Sequence, residues 1–129
     1  MADMNKVMLM GFVSTDIEAG YINSDDSRPM CRFGLGTHEK YTDKNNEIQT
    51  ITTWHTVCFY NKNVNFIKEY IDKGDNIFVD GKIRVRSWEK NDGTFATAYE
   101  IVGENVQILR KKTKNEQSDE PQQNDIQAA

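Results

Sequence analysis

The chain has 129 residues, 37% of them hydrophobic, which suits one compact domain because domains typically span about 100–200 residues. No apolar run approaches the ~18 residues of a membrane span, and the start MADMNKVMLM lacks the features of a signal peptide, so we expect a cytoplasmic protein. The net charge of −4 is uneven, because residues 113–129 hold one lysine against four acidic side chains. The rest of the chain is close to neutral, so a local basic surface is not excluded.

The first half of the chain predicts three strands with polar connections. Residues 5–13 form the first strand, and the Ser-, Asp- and Pro-containing residues 22–29 form a loop. Residues 30–37 form the second strand, residues 42–46 a polar tip, and residues 48–60 a long third strand rich in β-branched side chains. Alternate side chains along each strand are expected on opposite faces.

Residues 63–73 change to a helical period. Val64, Ile67 and Ile71 recur at the spacing that places them on one face of a helix. Asn63 is a suitable N-cap, and Gly74 is a suitable C′ residue for the end of the helix. We therefore predict one helix after the third strand.

Two more strands follow the predicted helix. Residues 76–88 form the fourth strand, the sequence NDG at 91–93 indicates a hairpin turn, and residues 95–109 form the fifth, with a bulge expected at Gly103. Three strands, a helix and two strands are the element order of an OB-fold. The chain is therefore predicted to be an all-β, five-stranded Greek-key barrel with one helix between strands 3 and 4.

The last 17 residues differ in composition from the rest of the chain. They are rich in Gln, Asn and acidic residues and hold one apolar residue larger than alanine. Such a segment cannot bury enough surface to offset the entropy of ordering it. We predict a single domain over residues 1–112 and a disordered tail over residues 113–129.

The fourth predicted strand carries the most informative pattern. One face presents three cations in line with an indole: Lys82, Arg84, Arg86 and Trp88. The other face presents Ile83 and Val85, which are expected to pack into the core. Cations suit a phosphate backbone and a flat ring suits an unstacked base. The alternative is an ordinary solvated strand face with an incidental tryptophan.

The third predicted strand repeats this logic. Trp54 and Tyr60 share one face, about 20 Å apart at ~3.3 Å per residue, while Val57 and Phe59 supply an apolar face on the other side. Two such rings could form separate stacking platforms, or they could simply cover the core. Tyr41 lies among lysines near the predicted tip, where it could grip a strand or anchor the loop.

Signals of enzymatic or metal chemistry are weak. No GxxxxGK, GxGxxG or HExxH motif occurs, and no pair of carboxylates has a buried setting. The only cysteines and histidines, Cys31, Cys58, His38 and His55, match no common zinc spacing, and without a secretion signal the cysteines are expected to be buried thiols. We predict no catalytic residue, no metal site and no cofactor.

Short motifs are spread through residues 5–110. They are Asn5-Lys6-Val7 followed by Gly11, Thr53-Trp54-His55, Glu69-Tyr70 through Lys73-Gly74, Asp80-Gly81-Lys82-Ile83-Arg84, and Arg86-Ser87-Trp88. Together these motifs resemble the bacterial single-stranded DNA-binding protein family. Any one of them alone would be weak, whereas collectively they are specific.

The resemblance implies a homotetramer that binds single-stranded DNA without sequence preference during replication, recombination and repair. It implies that four aromatic residues stack bases: Trp54, Trp88, Tyr60 and Tyr41. It implies that six basic residues contact phosphates: Lys6, Lys62, Lys73, Lys82, Arg84 and Arg86. It also implies that His55 lies at a subunit interface.

The C-terminus departs from the family pattern. Family members commonly end in an acidic stretch closed by a Pro-Phe tip that recruits replication and repair proteins, but here Asp125-Ile126 is followed by Gln127-Ala128-Ala129. Replication and repair proteins are therefore implied partners whose usual docking tip is absent. Two other hypotheses stay open: a primosome-type accessory OB-fold protein that acts mainly through protein partners, and an OB-fold enzyme or metal-binding domain.

Overall fold

The structure, a computed structural model, describes residues 2–22 and 28–112. Within these residues the chain forms the following elements: β1 (Val7–Val13), β2 (Glu18–Tyr21), β3 (Pro29–Thr42), β4 (Ile48–Tyr60), α1 (Val64–Tyr70), β5 (Asn76–Glu89) and β6 (Phe95–Arg110). The predicted tail, residues 113–129, and part of the predicted loop, residues 23–27, lie outside the described residues. Among the described residues, no helix is long and apolar enough to cross a membrane.

Five strands close into a barrel. The sheet order is β1-β5-β6-β4-β3-β2, and β1 also pairs with β3, which closes the ring and leaves β2 on the outer edge of β3. The predicted OB-type barrel with one helix between its third and fourth strands is confirmed. The extra strand β2 was not predicted, because its sequence EAGY holds residues that are depleted in strands. It forms by pairing with residues 29–32 of β3.

Alternating side chains of the strands fill the barrel. Phe33 on β3 and Phe59 on β4 stack inside it with ring centroids 6.3 Å apart. The largest fully buried apolar side chains around them are Leu35, Ile67, Ile71, Ile77, Val13, Val57, Val64 and Val79. Both cysteines are free and buried, as predicted, with Cys31 in this core.

The helix is shorter than predicted. It ends at Tyr70, and Ile71 has extended backbone, which turns its side chain into the core. Asn63 precedes the helix in a left-handed conformation without a side-chain cap, and its amide instead donates to the carbonyl of Glu104 at 3.2 Å. Gly74, predicted to end the helix, lies in the turn before β5 with φ of 98°.

A bulge in β6 reverses which of its side chains face outward. Asp80 pairs with Asn105 and Gly81 pairs with Gly103, so Glu104 is an extra residue opposite β5. β6 is continuous across Gly103, and the predicted bulge lies directly after it. One inserted residue shifts the alternation of side chains by one position. Ile101 therefore faces the barrel interior and Glu100 faces out.

The hairpin of β5 and β6 extends beyond the barrel. The prediction that Ile83 and Val85 pack into the core is wrong, since they are 44% and 51% exposed. The reason is that β4 pairs with β6 only at Val57 and Cys58. Beyond that point no strand within residues 2–22 and 28–112 covers the apolar side of the hairpin.

The end of β6 is fixed by a buried carboxylate. Asp75 is fully buried and accepts hydrogen bonds from the Lys111 Nζ at 2.6 Å and from the backbone N–H groups of Asp72 and Lys112 at 2.8 and 2.9 Å. Burial raises the pKa of the Asp75 carboxyl, but these hydrogen bonds and the Lys111 charge outweigh it, so the pKa lies below its ordinary value.

Gly103→Ala should destabilise the barrel by about 1–3 kcal/mol, the usual cost of overpacking a core. A Cβ at this position would lie 2.2–2.5 Å from ring atoms of the buried Phe59. The matched control is Gly20→Ala, because a Cβ there meets nothing within 4 Å. Urea unfolding of both variants tests this, and equal stability of the two would contradict the packing described.

Asp75→Asn should lower the free energy of unfolding by about 2 kcal/mol at neutral pH, since charge-assisted hydrogen bonds are lost. A carboxylate with a lowered pKa in the folded state stabilises the fold fully above its unfolded pKa, near about 4, and loses that effect as pH falls. The difference between variant and wild type should therefore shrink below about pH 4. Urea unfolding across this range measures it, and a constant difference would argue against the assignment.

Candidate nucleic-acid interface

One continuous surface lies on the outside of strands β3 to β6. The pairing of β5 with β6 puts Arg84 opposite Glu100, and the pairing of β3 with β4 puts Arg32 opposite Cys58. We call this surface the outward face and define it by seven residues: Arg32, Trp54, Tyr60, Arg84, Arg86, Trp88 and Glu100. Trp54 and Trp88 are 65% and 40% exposed, so neither indole belongs to the core of this chain.

A buried carboxylate organises three arginines on the outward face. Glu100 is 3% exposed, and its oxygens lie 2.7 Å from Arg84 Nη2, 3.5 Å from Arg86 Nε and 3.8 Å from Arg32 Nη2. The thiol of Cys58 also donates to it at 3.3 Å. Burial raises the pKa of the Glu100 carboxyl, but the hydrogen bonds from Arg84 and Cys58 and the arginine charges hold it below its ordinary value.

Two of these arginines also contact aromatic rings. Arg84 donates to the Tyr60 hydroxyl at 2.6 Å, and its guanidinium lies 5.1 Å from the centre of that ring. The Arg86 guanidinium lies 4.6 Å from the Trp88 ring. Both distances are within the range of cation–π attraction. The outward face thus places each of two predicted phosphate contacts against a predicted stacking ring.

Trp54 has aromatic neighbours that the sequence reasoning did not select. Its ring meets Phe12 edge to face at 5.9 Å, and Phe12 stacks on His38 at 5.1 Å. Gly36 lies beneath the Phe12 and Trp54 rings, and a Cβ there would come within 2.6 Å of the Phe12 ring, so only glycine leaves room for this contact. The signal was present, because Phe12 shares its side of the first strand with Lys6 rather than with the apolar face.

Tyr41 lies elsewhere. It is 48% exposed, but it belongs to β3 and pairs with Gln49, whereas the turn begins at Asp43. Gly36 pairs with Trp54, so strand alternation puts Gly36, His38 and Lys40 on the Trp54 side of β3. Tyr41 is the next residue and lies on the opposite side. The structure therefore does not bring Tyr41 together with the outward face.

The remaining predicted phosphate contacts are lysines outside the arginine cluster. Lys82 is exposed on β5 on the same side as Arg84. Lys62 and Lys73 are exposed before and after α1. Lys6 lies 3.5 Å from the carboxylate of Asp80, whose side chain is 16% exposed, and this ion pair neutralises part of the lysine charge.

His55 faces away from Trp54, as predicted. Its Nε2 lies 3.0 Å from the Thr37 hydroxyl, and burial lowers the pKa of the imidazole. His55 also lines a cleft of about 240 Å³ beside Ile83 and Tyr99, where β4 and β6 diverge. Ile83, Val85 and Tyr99 together form an exposed apolar surface, which we call the reverse face of the hairpin.

A metal centre has no support among residues 2–22 and 28–112, where no group of three or more His, Cys, Asp or Glu side chains is arranged to hold an ion. Cys31 lies in the barrel core, and Cys58 lies on the other side of the sheet, against Glu100. The four residues considered for zinc are therefore not gathered at one point.

A family model described as the single-strand binding protein family matches residues 4–109. The chain belongs to this family, so the resemblance is confirmed. A single-stranded DNA-binding protein of Neisseria meningitidis is 30% identical over 112 residues, which are 87% of this chain and 63% of that protein. Single-stranded DNA-binding protein 1 of Xylella fastidiosa is 30% identical over 116 residues, 89% of this chain and 84% of that protein. The chain thus spans less than two thirds of the length of the Neisseria relative.

Solved structures show the same architecture. The Plasmodium falciparum SSB, solved in complex with single-stranded DNA, matches with a TM-score of 0.74 and 30% identity, covering 84% of this chain and 97% of that one. The single-stranded DNA-binding protein from Thermus aquaticus matches with a TM-score of 0.71 at 20% identity, covering 83% and 51%, and supports the fold alone.

Proposed function

We propose that this protein binds single-stranded DNA without sequence preference and without catalysis, through the outward face. The observation that carries the proposal is the placement of exposed indoles and arginines on one side of the barrel. The Plasmodium relative was solved with single-stranded DNA, which supports the same ligand here. A primosome-type accessory protein is not favoured, because the family match and the relatives are single-strand binding proteins.

Stacking and charge neutralisation supply the binding energy. Trp54, Tyr60 and Trp88 offer flat rings, and each stacked base contributes about 1–3 kcal/mol. Arg84 and Arg86 lie against two of these rings, so a phosphate next to a stacked base is within reach of a guanidinium. Since every base has a π-face and every nucleotide a phosphate, such a surface binds with little sequence preference.

The lysines extend this surface. Lys82 continues the basic row of β5, while Lys62, Lys73 and Lys6 supply further phosphate contacts on neighbouring elements. The paired strands β3 and β4 have two sides, and Tyr41 lies on the side opposite Trp54, so it stacks a base only if the bound DNA strand crosses over these two strands.

We further propose that the protein assembles as a homotetramer through the reverse face and His55. In the single chain, Ile83, Val85 and Tyr99 are 44%, 51% and 75% exposed. A second subunit would remove this apolar surface from water, which is the largest favourable contribution to association. The half-buried His55 beside the cleft fits the same interface.

The biological setting follows from this activity. We assign the protein to the coating of exposed single strands in replication, recombination and repair in the bacterial cytoplasm. Replication and repair proteins are proposed partners through residues 113–129, which lie outside the described residues.

Trp54→Ala and Trp88→Ala should each weaken binding of oligo-dT by about 1–3 kcal/mol, the contribution of one stacked base. Tyr21→Ala is the control, because Tyr21 is 52% exposed on β2, away from the outward face, and its removal should change affinity less than about twofold. Tryptophan fluorescence titration measures both, and unquenched emission of the wild type at low salt would refute the proposed binding.

The proposed assembly has its own test. Light scattering after size exclusion should give the mass of four chains, and Val85→Glu should lower it, because a carboxylate would be buried at the interface without a partner. Glu89→Gln, a change at the exposed end of β5, serves as control and should leave the mass unchanged. A wild-type mass of one chain at micromolar concentration would contradict the tetramer.

A further inference from the structure

Glu100 is an anomaly on a surface proposed to bind a polyanion. Asp75 and Glu100 are the two buried charged residues among those described, and Asp75 is accounted for by the hydrogen bonds that fix the end of β6. Glu100 stabilises no loop or chain end. Its carboxylate instead lies among the three arginines of the outward face, where it neutralises positive charge that would otherwise attract a phosphate.

We propose that Glu100 is an internal competitor of DNA phosphate, which holds Arg32, Arg84 and Arg86 in ion pairs that a bound strand must share or break. This inference rests on the proposed binding of single-stranded DNA by the outward face. Glu100 acts through the arginines and is a positioning residue. It limits affinity and keeps the guanidinium groups next to the stacking rings.

The geometry distinguishes the two sides of the cluster. The Glu100 side chain is 2% exposed, whereas those of Arg32, Arg84 and Arg86 are 33%, 46% and 45% exposed. The carboxylate is thus closed to solvent, while each guanidinium keeps an open side. A guanidinium has five N–H donors, so a phosphate can approach from that open side while the carboxylate still competes for the same charge.

The three pairs are not equally strong. Arg84 makes a direct hydrogen bond at 2.7 Å, while Arg86 and Arg32 lie 3.5 and 3.8 Å away. In addition, Arg32 Nε is buried without a hydrogen-bond partner. Arg86 and Arg32 have no direct hydrogen bond to the carboxylate, so its charge is what holds them, and they are the arginines that removal of this charge should release. In Glu100→Gln the amide oxygen can still accept a hydrogen bond from Arg84.

A purely structural role for Glu100 makes the opposite prediction. If the carboxylate only kept the cluster folded, its loss would disorder the arginines and weaken binding. If it competes with phosphate, its loss leaves three like charges close together, and a bound phosphate relieves their repulsion.

Glu100→Gln should bind oligo-dT more tightly, by about fivefold at low salt, the ratio given by one close charge contact in water. The slope of log affinity against log salt should steepen by about 0.7, the value for one more phosphate neutralised on a single strand. Glu104→Gln is the matched control, because it removes the same charge from an exposed position on β6 outside the cluster. Binding as weak as or weaker than the wild type would overturn the proposal.

A double-mutant comparison separates local competition from net charge. Arg86→Gln should weaken binding more in the Glu100→Gln background than in the wild type, because Arg86 is freed there, and it should cost the same in the Glu104→Gln background as in the wild type. Equal costs in all three backgrounds would contradict the inference. Thermal unfolding of each variant establishes that it is folded.

Should Glu100→Gln not fold, Glu100→Asp makes the same test. The shorter side chain keeps its charge but withdraws its oxygens from the three arginines, so tighter binding is expected, and unchanged or weaker binding overturns the proposal. The two failures remain distinguishable. A wild-type protein that does not bind oligo-dT refutes the proposed function, whereas a wild type that binds, with no gain in the variants, refutes only the role of Glu100.

Discussion

The register between β5 and β6 is the constraint on which the outward face depends. Val106 and Ile108 pack against the core on the far side of Glu104. Without the extra residue at Glu104, the alternation that they set would turn Glu100 into the barrel and Ile101 out to solvent. The bulge reverses this, so that the carboxylate meets Arg84 and the isoleucine closes the core. Gly103 lets the strand pass directly over the Phe59 ring at this point. Core packing and surface chemistry are therefore set by the same few residues.

Burial of a charge on this surface has consequences for both stability and binding. A buried carboxylate without partners would cost several kcal/mol, and the arginines on the outward face offset that cost. Those same arginines are the cations available to DNA. The same arginine charges therefore stabilise the folded protein and bind the DNA. The rings of Tyr60 and Trp88 contact these guanidinium groups and keep them in position in both the free and the bound protein.

Strand periodicity predicted much of the barrel and the site, and what it missed depends on tertiary pairing. Alternation correctly put Trp54 and the row from Lys82 to Trp88 outward, since period 2 is a local property. Local signals could not show that β4 pairs with β6 at only two residues, Val57 and Cys58, which is why Ile83 and Val85 were wrongly placed in the core. The position of Glu100 likewise required the register of the bulge, and the short β2 forms only because β3 provides a partner.

The claim that DNA binds the outward face rather than the reverse face can be tested by photocrosslinking. Oligo-dT carrying 5-iododeoxyuridine, irradiated with the protein and mapped by mass spectrometry, reports which aromatic residues touch bases. We expect crosslinks at Trp54, Tyr60 and Trp88. Crosslinks concentrated at Tyr99, which is 75% exposed on the other side of the hairpin, would contradict the account.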